Sequence, residues 1–289
     1  METLARKLQM KKEQWEITRS VERRYRTAIE RLFKGLRAEL AGLSNPFSIA
    51  AAIRRFARSP TFRRAAYEVA RSMVTHVAAH NQRTWRKAAR VGGKGRAIFN
   101  ALAKELSNTQ LYHRIIQSNA EYIQSMPEKV AQQVTKIAAR GYEAGKRPAV
   151  IAEEIFREYP YMTRRHARLI ARTETSKAST ALTRARCDYA KVSWYVWRTS
   201  DDERVRSSHR HMEGVIIPWN EPPSPEKLDP RHRQRPYGEY HAGDTFNCRC
   251  YPQPLLEFDD VTFPHRVYYQ GKIQMMTLAK FKAINGGSL

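Results

Sequence analysis

Two pairs of metal-ligating side chains each stand one residue apart: His209 with His211 and, well downstream, Cys248 with Cys250, with His241 between the pairs. In an extended segment residues i and i+2 point to the same side. Each pair could therefore aim two donors at one point if its stretch is extended. Nitrogen and sulfur donors suit zinc, which takes four of them in a tetrahedron and can pin a small loop-rich module lacking a large core. The spacing differs from the paired Cys-x-x-Cys of common zinc knuckles. Buried cysteines also serve as small apolar residues and histidines as members of polar networks, so the residues alone leave metal binding and polar packing both open. A disulfide between Cys248 and Cys250 would be strained, and three cysteines fit a reducing compartment better than a disulfide framework.

Charge is the second source of chemistry. Lys and Arg number 52 against 28 Asp and Glu, a net charge of +24. Residues 1 to 200 carry 40 basic and 16 acidic side chains, whereas residues 201 to 289 carry 12 of each. The steepest run, residues 51 to 100, holds 12 basic residues and the single acid Glu68. Internal ion pairs cannot neutralise such a run, which attracts polyanions by releasing their counterions. Nucleic acid is the obvious polyanion; a solvated basic face or an acidic protein partner is the alternative. Arg54, Arg55, Arg63, Arg64, Arg83, Arg86, Lys87 and Arg90 are the candidate phosphate contacts. The glycine cluster at 91 to 96 is a turn and not a phosphate cradle, because Lys94 is followed by Gly95-Arg96 where a Walker loop needs Ser or Thr.

The elements that must position these groups change character along the chain. Apolar residues at three-and-four spacing predict one helix over residues 1 to 42, and Ser44-Asn45-Pro46 stops it and starts another. Two helices meet at Ser59-Pro60. Helical pattern resumes from Ala97 to about Gly141, with a break expected near Met126-Pro127 and Ser125 as the next cap. Further helices are expected from Pro148 to Glu158 and, capped by Thr163, on to about Ala190. The period then changes to two: residues 192 to 197 read as an aromatic strand covered on both faces, and 214 to 219 as a second strand. Residues 221 to 238 are a proline-rich loop. A strand around Val267 to Tyr269 and a short helix ending at Asn285-Gly286-Gly287 complete the chain, with Met275, Met276, Leu278 and Phe281 set either to dock on a partner or to pack on the chain itself.

The fold class expected is mainly α: an elongated basic helical region (1–160), then a small α+β module with few short strands (161–257), then a C-terminal tail (258–289). No window offers the roughly 18 uninterrupted apolar residues of a membrane helix, and the charged N-terminus has no secretory h-region, so a soluble chain is expected with no membrane contact.

A set of short motifs in a fixed order resembles the phage Mu F-like family, the head morphogenesis or minor head proteins of tailed bacteriophages. The motifs are Ile170-Ala-Arg-Thr-Glu174, Trp197-Arg-Thr-Ser-Asp-Asp-Glu-Arg-Val205, Ser208-His209 with Met212-Glu-Gly214, Trp219-Asn-Glu-Pro-Pro223, His241-Ala-Gly-Asp244 and Asn247-Cys-Arg-Cys250. They span roughly residues 163 to 256. Many relatives carry Cys-x-x-Cys where this chain has Arg206-Ser-Ser-His209, and His-Pro-Gly where it has His241-Ala242-Gly243. The resemblance thus leaves His209, Cys248 and Cys250 as the core of a zinc-binding set, with His241 or His211 as the fourth. It also implies a structural charge cluster, in which Arg172 pairs with Asp202 or its neighbours and Glu174 with Arg204.

The role the resemblance implies is that of a non-enzymatic minor capsid protein located in the virion near the portal vertex, and in the host cytoplasm during assembly. Its implied partners are the portal protein, the major capsid protein or scaffold, and double-stranded DNA during packaging or ejection. Two other classes stand beside it: a metal-dependent HNH-like nuclease, for which His209, Asn220 and His241 would do the chemistry, and a cellular zinc-containing nucleic-acid-binding protein.

Overall fold

The computed structural model describes residues 14–17, 19–91, 95–105, 109–231 and 235–286. In chain order these form α1 (Arg19–Leu40), α2 (Pro46–Arg58), α3 (Pro60–Val91), α4 (Gly95–Glu105), α5 (Thr109–Glu143), α6 (Pro148–Ala190), β1 (Trp194–Arg198), α7 (Ser207–Met212), β2 (Ile216–Pro218), α8 (Pro225–Leu228), β3 (Tyr251–Pro254), a 3-10 turn (Phe258–Asp260), β4 (His265–Tyr269), β5 (Lys272–Met276) and α9 (Leu278–Ile284). The chain is thus mainly helical with a small sheet near its C-terminal end, as the sequence leads one to expect. It divides into two compact units: a helical unit of residues 19–75 and 110–174, and a sheet unit of residues 1–18, 76–109 and 175–289.

In the helical unit, α1 buries Val21, Tyr25, Ile29, Phe33, Leu36 and Leu40, the stripe that a 3.6-residue period places on one face. Phe33, Phe56 and Phe62 cluster with ring centroids 4.5 to 6.1 Å apart. Asn45 caps α2 by accepting from the Phe47 and Ser48 amides (2.8 and 3.4 Å), and Pro46 suits the first helical position. The Ser59 hydroxyl accepts from the Phe62 amide (3.2 Å), so the break before Pro60 falls where it is expected.

Three expectations are corrected. Among the described residues the first helix starts at Arg19, and Gln14–Ile17 form a turn that lets Trp15 pack edge-on against Trp85 at 5.2 Å in the sheet unit. Residues 1–13 of that expected helix lie outside the described residues, as do residues 92–94 of the expected glycine turn. The second correction is that α5 runs unbroken through Pro127 and the third that α6 runs unbroken through Pro160. Proline removes one helical hydrogen bond and costs about 3 kcal/mol in a helix interior. Burial of Met126, Val130, Ala131 and Val134 around the first proline, and of Tyr159, Met162 and Thr163 around the second, outweighs that local cost. Ser125 and Thr163 are accordingly not caps: their hydroxyls donate back to the carbonyls of Tyr122 (2.8 Å) and of Tyr159 and Pro160 (3.0 and 3.2 Å).

Helix α6 ends where Lys191 takes φ 58° and the Val192 amide bonds the Cys187 carbonyl (2.8 Å). This is a left-handed helix cap with lysine in the place glycine usually holds. The chain then enters a five-stranded sheet of order β3-β1-β2-β4-β5. All neighbours are antiparallel except β2 and β4, which run parallel. Strand β1 is covered on both sides: Tyr195 and Trp197 enter one core with Trp85, Met212 and Tyr240, while Trp194 and Val196 enter another with Ile216, Val267 and Phe281. Residues 258–289 supply β4, β5 and α9 to this same unit. Met276 and Phe281 pack inside it, whereas Met275 is exposed. Among the described residues no helix is long and apolar enough to cross a membrane.

Candidate metal centre

The segment with both histidines is not extended. It forms α7, where residues two apart lie about 200° around the axis, so His209 and His211 do not converge. His209 alone turns inward. Its Nδ1 lies 3.5 Å from Cys248 Sγ and 3.3 Å from Cys250 Sγ. The three ligand atoms sit within 4.8 Å of one another, and all three residues are buried. Asn247, at φ 54°, turns the chain into the Cys-x-Cys stretch, and the Cys250 amide donates to Cys248 Sγ (3.3 Å).

The other side of the His209 ring determines which nitrogen faces the sulfurs with a lone pair. A carboxylate can only accept, so at the 2.6 Å contact the Tyr240 hydroxyl donates to Glu226 Oε1. The Tyr240 oxygen is then the acceptor for His209 Nε2–H at 2.9 Å. In this tautomer Nδ1 points a lone pair at the two sulfurs, as a metal ligand must. Ser208 also donates to Glu226 (3.3 Å), which is itself buried. Hydrogen bonding from Cys250 holds the Cys248 thiol well below its usual range, while burial pushes the Cys250 thiol up. The pocket thus already favours one thiolate, the form that binds metal. Three donors with a fixed tautomer and a buried supporting carboxylate fit a zinc-type ion.

His241 lies outside this trio. Its Nδ1 meets the Tyr195 hydroxyl at 3.2 Å, and its ring packs on Trp219 with centroids 5.0 Å apart. Burial, with the Arg184 charge adding, lowers its pKa to about 4. The adjoining residues fasten α6 to the cysteine stretch. Thr180 donates to the Ala242 carbonyl (2.7 Å), and Gly243, at φ +84°, sits so close that a Cβ there would lie 2.6 Å from both the Cys250 carbonyl oxygen and Thr180 Oγ1. Only glycine fits such a crossing.

Arg206 has its guanidinium 5.1 and 4.9 Å from the Tyr237 and Phe246 rings and donates to the Phe246 carbonyl (3.0 Å). It braces the loop against the cysteine stretch. The residues of the expected charge cluster lie as follows. Arg172 has Glu22 as a partner (3.8 Å) and Asp202 has Arg249 (3.7 Å). Asp202 also accepts from the Arg204 amide (3.0 Å), and Glu174 is buried.

Besides Tyr240, sequence reasoning gave no role to Glu213 and Glu226. Glu213 accepts from the Thr199 amide and hydroxyl (2.6 and 2.8 Å) and from Arg198 (3.2 Å), tying β1 to the end of α7. Glu226 lies in a four-residue helix within the stretch expected to be loop. Its only sequence signal is Ser224-Pro225, which opens that helix.

The basic candidates fall into two groups. In the helical unit Arg55, Arg63 and Arg64 are exposed, and Arg54 pairs with Glu128 (3.5 Å). In the sheet unit Arg83, Arg86, Lys87 and Arg90 are all exposed at the spacing that lines one helix face.

Residues 132–252 match the family model of the phage Mu protein F like proteins, which supports the resemblance read from the motifs. An uncharacterized protein of Haemophilus influenzae (strain ATCC 51907 / DSM 11121 / KW20 / Rd) is 29% identical over 149 residues, covering 52% of this chain. The chain spans only 30% of that relative's length. No solved structure matches.

Proposed function

We propose that this chain, Mu F-like over residues 132–252, is a minor structural protein of a tailed-phage head that associates with the portal vertex and contacts packaged DNA. The observation that carries this is the family match, which covers α7, β1, β2 and all three residues of the His/Cys trio. Phage head proteins of this family are structural, and the functional parts assigned here are surfaces and a structural metal site, not a reaction centre. Zinc held by His209, Cys248 and Cys250 would fasten α7 to the cysteine stretch; the ion's role is to supply folding free energy. The exposed face of Arg83, Arg86, Lys87 and Arg90 would meet phosphate without reading sequence.

Tagged protein recovered from an induced phage lysate tests the role. Portal and capsid subunits should accompany it at constant stoichiometry; their absence, with nucleic acid alone retained, would transfer the chain to the cellular DNA-binding class. Magnesium-dependent DNA cleavage lost in His209→Ala would replace both with a nuclease.

A further inference from the structure

The helical unit carries a second basic surface, distinct from both groups above. No acid occurs from Lys129 to Tyr142 on α5, nor from Tyr159 to Thr173 on α6. Each of these stretches presents cations at helical spacing: Lys129, Lys136 and Arg140 on one, Arg164, Arg165 and Arg168 on the other. The two stretches face each other across a cavity of about 290 Å³ lined by Lys136, Arg140, Tyr161 and Arg165, with Glu158 the one acid. His166, on the same stretch of α6, senses these charges: burial first, then the charges of Lys129 on α5 and Arg165 on α6, lower its pKa, and its buried Nε2 has no hydrogen-bond partner. Tyr161 is 62% exposed, and the Arg164 guanidinium stands 5.2 Å from its ring.

An exposed aromatic ring held by a guanidinium beside a row of like charges has no internal explanation in a folded unit. Like charges that line one cavity repel and cost stability unless an anion joins them. We infer that the α5/α6 furrow binds the phosphodiester backbone of a single nucleic-acid strand, with Lys136, Arg140 and Arg165 on phosphates and Tyr161 stacked on an unpaired base. Backbone charge plus a stacking ring is the combination that holds single strands without reading sequence. This goes beyond the proposed contact with packaged duplex and rests on it for the choice of nucleic acid as ligand.

Fluorescence anisotropy of the full chain with an oligodeoxythymidylate and with a duplex of equal length, across a salt series, tests it. The triple variant Lys136→Ala/Arg140→Ala/Arg165→Ala should weaken single-strand binding roughly 10- to 100-fold and flatten the salt slope by about two. Tyr161→Leu should weaken it several-fold with the slope unchanged. All four side chains are exposed, so unaltered circular dichroism and thermal transitions should confirm that the variants fold. A slope retained in the triple variant but lost in Arg83→Ala/Arg86→Ala/Lys87→Ala/Arg90→Ala would overturn the furrow and leave DNA contact standing. Losses confined to the duplex, with Tyr161→Leu silent, would overturn the single-strand assignment. Wild-type protein that binds neither probe would overturn DNA contact itself.

Discussion

The two units hold themselves together in opposite ways. The helical unit spreads its stability over stripes of Ile, Leu, Phe and Ala, and its interactions repeat from turn to turn. The sheet unit concentrates polar chemistry inside: Glu226, Asp229, His209 and His241 are all buried there, with Tyr240 on Glu226 and His209, the Arg231 amide on Asp229 (3.0 Å) and Tyr195 on His241. Burying such groups is unfavourable unless their geometry is met. The sheet unit should therefore be brittle at single positions, and the helical unit tolerant. The contrast can be broken or sharpened in order of expected effect.

Gly243→Ala should cost most, about 2–4 kcal/mol in urea denaturation, because the added methyl meets backbone and Thr180 in a conformation unsuited to L side chains. A loss near zero would mean that the α6 crossing is loose and the sheet unit not brittle. Next is the metal. Elemental analysis should find about one zinc per chain, Cys250→Ser should abolish it, and Tyr240→Phe should weaken binding some 10- to 100-fold by removing the partner of His209 Nε2. Chelation should lower the unfolding temperature.

The pH dependence follows from His241. Its folded pKa, about 4, lies below the ordinary value near 6.5, so as pH falls the unfolded chain takes up the proton first. The stability from this group is complete above about pH 6.5 and is lost as pH falls toward about 4. Denaturation midpoints at stepped pH should show this slope, and His241→Gln should flatten it. In the helical unit Asn45→Ala should cost about 1 kcal/mol. Arg54→Ala, which removes an exposed pair with Glu128, should cost no more than about 0.5 kcal/mol. Comparable losses in the two units would dissolve the contrast.

What the sequence made legible follows the same division. Local signal, the proline break at Ser59-Pro60 and the change of apolar period after α6, located the α2/α3 boundary and both central strands. It failed at Pro127 and Pro160, where a strong local signal met burial on both sides and lost. It failed also at α7, whose six residues are too few to show a helical period, so the His209/His211 pair looked convergent. Ligand chemistry identified His209, Cys248 and Cys250, since residue type and close spacing carry that signal. It did not identify Tyr240 or Glu226, whose roles exist only once the Pro-rich segment folds back on α7.

The parallel pairing of β2 with β4, and the seat of Trp15 on α3, bear on the order of events during synthesis. A ribosome delivers the whole helical unit before any of the five strands of the sheet unit. Trp15, made near the start, finds Trp85 only after a long stretch has been threaded out, and β2 stays an open edge until β4 emerges. Such distant closures are slow. The sheet unit should thus be the last part to mature and the one most exposed to premature association, and a metal that gathers His209 with the later Cys248 and Cys250 would act as the clasp that ends that interval.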